Sequence, residues 1–161
     1  MADETAIAES ETAAGLNGVT LEDVVETFEL MDDWEDRYRY IIELGRKLPP
    51  LPEEAYTDAN KVRGCASQVW FISREEEGGE PRLILLGDSD AHIVKGLIAL
   101  LLLIFSGKTR AEIRQTDARE ILESLELEQH LSPMRANGLH AMLGRIQQLA
   151  AGSPASESVR K

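Results

Sequence analysis

The stretch that most limits what this chain can fold into is HIVKGLIALLLLIF, residues 92–105, where nine apolar residues follow Gly96 without interruption. An apolar run of that length falls well short of the roughly 18–20 residues needed to span a bilayer. A helix apolar on every side is stable in water only when it is covered on every side. The run therefore predicts a central helix packed against a sheet, with Asp88, Ser89 and Asp90 as caps at its start and Gly107 ending it just after Ser106. The chain is long enough for this: 161 residues suit one domain with a real core, and 43% hydrophobic against 29% charged residues is ordinary for a globular protein.

The covering elements are legible from capping and periodicity. Thr20 followed by Asp23 resembles a capping box, with Leu21, Val24, Val25 and Phe28 on one helical face. A second helix starts near Asp32 or Asp33, places Trp34, Tyr38, Ile41 and Ile42 on one side, and stops at Gly45 before Pro49 and Pro50. LPPLPEEAYTDAN, residues 48–60, reads as an extended connection rather than a helix. SQVWFIS and RLILLG read as two strands joined by the glycine-bearing hairpin REEEGGEP, whose 75–77 acidic run reads most simply as a solvated tip, with docking to a basic partner as the alternative. Thr109 with Glu112 and then Asp117 open two short helices, the second running to Leu125. Ser132-Pro133 opens a last helix with Leu139, Met142, Leu143 and Ile146 on one face. Trp34 and Trp70 read as core residues. The fold class is α+β: a small antiparallel sheet flanked by helices. Residues 1–19 read as a disordered acidic leader, 20–150 as the domain and 151–161 as a flexible tail.

The chain carries 29 acids against 17 bases, a net charge of −12. This disfavours nucleic acid and anionic membranes as partners and suits a protein with a basic patch. The first ten residues hold three acids and no base, unlike a secretory signal, and the expected location is the cytoplasm, where a lone thiol stays reduced.

That thiol is Cys65, the only cysteine, set in NKVRGCASQVWF, residues 60–71. It excludes an internal disulfide and any cysteine-rich zinc or iron–sulfur site. By spacing alone a small packed hydrophobe and a reactive thiol stand nearly level. Three neighbours favour the second: Gly64 gives the freedom a tight turn needs, Lys61 and Arg63 favour the thiolate, and Ala66 and Ser67 leave room for a bulky electrophile. A cysteine hydrolase needs a base, and nothing in the spacing singles out His92, His130 or His140. A phosphatase loop needs an arginine just after the cysteine, and a dithiol oxidoreductase needs a second thiol; neither is present. A thiol loaded by one protein and unloaded by another remains, and a second thiol nearby would discharge its persulfide.

NKVRGCASQVWF is similar to the signature of SufE-type cysteine desulfuration proteins, the sulfur acceptors of the Suf iron–sulfur assembly system. DDWEDRYRYIIELGRKLPPLP, GDSDAHIVKGLIALLL and LSPMRANGLHAML resemble that family's proline-rich approach, central helix and last helix, so the likeness covers roughly residues 24–149. The resemblance implies a SufE/IscU-like α+β fold and a partner, a pyridoxal-phosphate-dependent cysteine desulfurase of the SufS type. It implies that Cys65 takes the terminal sulfur of the partner's persulfide, stimulates that enzyme, and passes the sulfur to a Suf scaffold complex. The cysteine would rest shielded by apolar surface and move outward on engagement. Arg135, in the Ser-Pro-x-Arg element, would steady an anionic persulfide, although surface arginines more often pair with nearby acids. The amides opening the central helix at Asp88, Ser89 and Asp90 would face the loop, with capping as their plainer role. The chain is expected to hold no metal and no cofactor of its own, the pyridoxal phosphate belonging to the desulfurase. Two other readings stay open: an interaction protein that activates the desulfurase allosterically without carrying sulfur, and a redox sensor whose exposed cysteine forms an intermolecular disulfide.

Overall fold

In a computed structural model, which describes residues 18–76 and 79–152, the described residues form six α-helices and one three-stranded sheet. In chain order these are α1 (Leu21–Leu30), α2 (Trp34–Arg46), β1 (Val69–Glu76), β2 (Arg82–Ser89), α3 (His92–Phe105), β3 (Lys108–Thr109), α4 (Arg110–Gln115), α5 (Ala118–Ser124) and α6 (Pro133–Ala150). The sheet is antiparallel with order β1-β2-β3, and β1 pairs with β2 from Val69 opposite Ser89 to Glu76 opposite Arg82. Most of the 1–19 leader, residues 153–161 of the tail and residues 77–78 of the hairpin lie outside the described residues.

The apolar run is the central helix. Ten of the fourteen residues of α3 are buried, because α2 covers one side and the sheet another. Glycines set both distances. A Cβ on Gly96 would lie 2.2 Å from the Ile41 carbonyl oxygen of α2, and one on Gly45 would lie 2.6 Å from the Gly96 nitrogen. A Cβ on Gly87 of β2 would meet Ile98 of α3 at 2.9 Å. Gly45 is thus a packing residue and not the helix stop that the sequence suggests: α2 continues to Arg46, with Lys47 as its C-cap.

The predicted caps at the other helices are in place. Thr20 and Asp23 form a reciprocal capping box, as do Thr109 and Glu112, while Asp117 and Ser132 cap α5 and α6. Three readings need correction. Ala91, with no side-chain cap, precedes α3; Asp88 and Ser89 instead finish β2, so their side chains are committed to strand-end and loop contacts. The 48–60 connection holds two 3-10 turns, Glu53–Ala55 and Asp58–Asn60, in which Asn60 is buried and donates from its side-chain amide to the Ala55 carbonyl at 2.9 Å. Trp34 and Trp70 are half-buried at the rim of the core, where Trp34 stacks on His130 with ring centroids 3.9 Å apart and Trp70 meets Tyr56 edge-on at 5.0 Å.

Candidate functional site

Cys65 sits on the loop, residues 63–68, between the second 3-10 turn and β1. The loop's ends are drawn together before β1 begins: Lys61 bridges Trp70, and the Val62 amide donates to the Val69 carbonyl at 2.8 Å. Gly64 has φ +93°, a conformation that side chains with a Cβ rarely adopt, and this turns the chain so that the next residue points back toward the protein. Arg63, Gly64 and Ala66 are exposed, and Cys65 and Ser67 are half-buried.

The loop lies on α6. Its thiol donates to the Gly138 carbonyl at 3.6 Å, and a Cβ on Gly138 would come within 3.5 Å of Sγ. A Cβ on Gly64 would meet Ala141 at 3.2 Å. One turn further along, the Arg145 guanidinium donates to the Lys61 carbonyl at 2.7 Å and to that of Asn60 at 3.4 Å. Gly138, Ala141 and Arg145, spaced three and four apart, form one stripe of α6, and residues 60–65 run along it toward the helix N-terminus. Beyond the thiol the stripe ends in the first turn of α6. There Met134 is 61% exposed, and the Arg135 amide is capped by Ser132 while its side chain is exposed.

The other end of the loop is held by the residues before α3. The Gln68 amide and side chain donate to the Asp90 carboxylate at 3.1 and 3.4 Å, and the Asp90 amide returns a bond to the Gln68 carbonyl. Asp88 accepts from the Tyr56 hydroxyl at 2.7 Å, and its carboxylate lies 3.5 Å from the Lys95 ammonium. Burial, together with the negative charge of Asp88, raises the Tyr56 pKa and keeps the phenol a donor.

The electrostatics at rest reverse one expectation. Burial pushes the Cys65 thiol above the ordinary range, since a thiolate there would lose water without gaining a compensating partner. Lys61 and Arg63 do not offset this: the Lys61 ammonium lies 3.8 Å from Asp58, and Arg63 is exposed. No imidazole bonds the thiol either, for His130 stacks on Trp34, His140 faces Glu128 and His92 is exposed at the start of α3. Among the described residues no three His, Cys, Asp or Glu side chains gather as metal ligands. Among the described residues the arrangement offers a single sulfur, half-buried against α6 and without a bonded histidine.

Residues 22–150 match the SufE family, described as an Fe-S metabolism associated domain. The chain belongs to the SufE family. With that membership comes a role in iron–sulfur metabolism. Two SufE-like proteins, themselves uncharacterized, are close relatives. One from Rhizobium meliloti is 50% identical over 134 residues, covering 83% of this chain and 96% of its own. One from Rhizobium etli is 49% identical over 132 residues, covering 81% and 89%. The solution structure of a hypothetical protein from Thermus thermophilus superposes with a TM-score of 0.64 at 25% identity, over 84% of this chain and 96% of that one. The α+β SufE-type fold expected from the sequence is therefore the fold observed. No helix among the described residues is long and apolar enough to cross a membrane.

Of the SufE site residues named from sequence, Cys65, Gly64, Arg63, Lys61 and Ser67 share one loop or its stem, and Arg135 stands three residues before the thiol's seat on α6. Sequence reasoning missed Gly138, Ala141 and Arg145, and it gave Asp90 a capping role when it clasps Gln68. One signal was available. A glycine in the interior of a helix costs about 1 kcal/mol relative to alanine, so Gly138 and Gly144 both stand out in the last helix, and only the fold shows that Gly138 has the cysteine against it while Gly144 faces open space.

Proposed function

We propose that this protein is a persulfide carrier: Cys65 takes sulfur from a SufS-type, pyridoxal-phosphate-dependent cysteine desulfurase, stimulates that enzyme by emptying it, and hands the sulfur to a Suf scaffold complex for iron–sulfur cluster assembly. The observation that carries the reading is the seat of the thiol. A lone sulfur on a glycine-bearing loop, bonded to the Gly138 carbonyl, has among the described residues no base bonded to it and no second thiol to complete any chemistry within the chain. Its chemistry must come from another protein.

In the exchange, the Cys65 thiolate attacks the outer sulfur of the desulfurase persulfide. A new S–S bond forms on Cys65, the S–S bond on the donor breaks, and its electron pair leaves with the donor cysteine, which takes up the proton that Cys65 has lost. One sulfur moves with no net oxidation or reduction, so no external oxidant is needed. Movement of the loop out of its seat rehydrates the thiol, removes the burial that raised its pKa and makes it a better nucleophile at the moment a partner is present. Arg135 and the exposed Met134 flank that path at the start of α6; Arg135 is suited to pair with the anionic persulfide. The chain itself needs no cofactor in this scheme and has no turnover alone. We assign the exchange to the cytoplasm, whose reducing poise keeps the acceptor thiol free.

The test is intact mass after incubating the reduced protein with a SufS-type desulfurase, pyridoxal phosphate and cysteine. The expected result is a gain of sulfur on the wild type that is absent in Cys65→Ser, with stimulation of the desulfurase lost in the same variant. Stimulation that survives in Cys65→Ser without any sulfur gained overturns the carrier reading in favour of an allosteric activator.

A further inference from the structure

Arg145 is a half-buried cation whose hydrogen bonds all end on carbonyl oxygens, those of Asn60 and Lys61. Among the described residues it forms no ion pair, in contrast to Arg39, Arg46 and Arg110, which each hold a carboxylate. Burying a guanidinium is unfavourable unless its donors are used, and here two of them are used on the backbone that leads into the cysteine loop. Desolvation draws its pKa down from the ordinary value, though an arginine so displaced stays charged at neutral pH.

The geometry of α6 turns this contact into a ruler. Gly138 and Arg145 are seven residues apart, about 10 Å along a helix. Residues 61–65 span at most about 14 Å when fully extended, so the segment has little slack between the Arg145 fork and the Gly138 seat. The remaining stem contacts, Val62 to Val69 and Lys61 to Trp70, tie the segment to β1, and ahead of the thiol's own bond the Arg145 fork is what ties it by hydrogen bonds directly to α6. Gly64 lies against the Ala141 methyl group, a contact of shape that carries no hydrogen bond.

We propose that Arg145 is a positioning residue for Cys65: by donating to two successive backbone carbonyls it registers the lead-in of the loop on α6, so that the thiol rests on Gly138 and leaves that seat about a fixed stem. The inference rests on the carrier reading for its consequence in sulfur transfer, but its consequence for the resting thiol stands independently. A lysine at the same position offers one compact donor group in place of the two-pronged fork and restores the register only in part.

The experiment compares Arg145→Met, Arg145→Lys and Gln147→Ala in two assays. Gln147 serves as the control because it donates from the same helix to Ile113 and does not touch the loop. In the first assay the free protein is alkylated with iodoacetamide. Loss of charge-assisted bonds to the stem is expected to raise the Cys65 rate about tenfold in Arg145→Met, with Arg145→Lys between it and the wild type and Gln147→Ala within about twofold of the wild type. In the second, sulfur transfer is followed against desulfurase concentration. The maximal rate is expected to fall several-fold in Arg145→Met, while the half-saturating concentration holds within about twofold, as for a misplaced nucleophile on an intact docking surface. Wild-type alkylation rates in both Arg145 variants, or equal acceleration in Gln147→Ala, would overturn the proposal. Should Arg145→Met not fold, the Arg145→Lys comparison decides alone, because a rate equal to the wild type's there also overturns it. If the wild type takes no sulfur at all, the carrier reading fails, and the alkylation series still decides the role of Arg145.

Discussion

The proposed exchange needs Cys65 as a thiolate, yet at rest its thiol is held in the opposite state. Its Sγ faces the Gly138 carbonyl, an acceptor that rewards S–H and repels S⁻, and burial raises its pKa further. The sign follows directly. Keeping the thiol neutral favours the seated loop fully below the ordinary thiol pKa, and that preference is lost as pH climbs through the raised value. The alkylation rate of the native protein is therefore expected to rise with pH along a curve displaced above that of an unfolded cysteine, near 8.5. The same titration in urea should return to the ordinary midpoint, and added desulfurase should move it down. A native curve lying at or below the unfolded one would show that the seat does not hold the thiol.

At the scale of elements, the close approach of α2 and α3 is set by two glycines from different parts of the chain. Gly96→Ala places a methyl carbon 2.2 Å from the Ile41 carbonyl oxygen, backbone that cannot rotate aside, so the helices must separate. Denaturant unfolding is expected to show a loss of about 3 kcal/mol or more, beyond what the better helix propensity of alanine returns. The same substitution at Gly138 meets only Cys65 at 3.5 Å, an ordinary contact, which is why α6 tolerates the loop against it without any comparable wedge. Elements whose ends depend on adjacent residues were legible: the caps at Thr20, Thr109, Asp117 and Ser132 stand where their spacing put them. Gly45 was misread because a C-terminal glycine and a packing glycine look alike until the facing helix is known.

At the scale of the molecule, one core joins everything that positions the site. Phe28 of α1, Ile41 and Leu44 of α2, Phe71 of β1, Leu85 of β2, the length of α3, and Leu139, Met142 and Ile146 of α6 belong to a single buried cluster. The loop's two anchors, α6 and the start of α3, therefore cannot loosen separately from that cluster. Unfolding of the chain is expected to be two-state, as is usual for a domain of this size. The two tryptophans report from different places, Trp34 on α2 and Trp70 on β1, so variants keeping one of them each should share a denaturation midpoint with each other and with far-UV circular dichroism. Separate midpoints would mean that the β1 side, with the loop stem, melts as its own unit.

The sequence by itself determined the central helix, the starts of the other helices, the hairpin, the α+β class and the place of the one cysteine. Each of these rests on residues close together in the chain: an apolar run that must be covered, a hydroxyl or carboxylate three residues before an amide, a cysteine after a glycine. Only the tertiary structure decided the state of that cysteine. Its seat on Gly138 is a contact across 73 residues, and the Arg145 fork on Lys61 reaches across 84. Local spacing carries no record of such pairs, because helix–loop packing is chosen by the fit of the whole core. Burial then reversed the inference drawn from the neighbouring bases: Lys61 and Arg63 are near Cys65 in the chain, but desolvation governs the thiol in space.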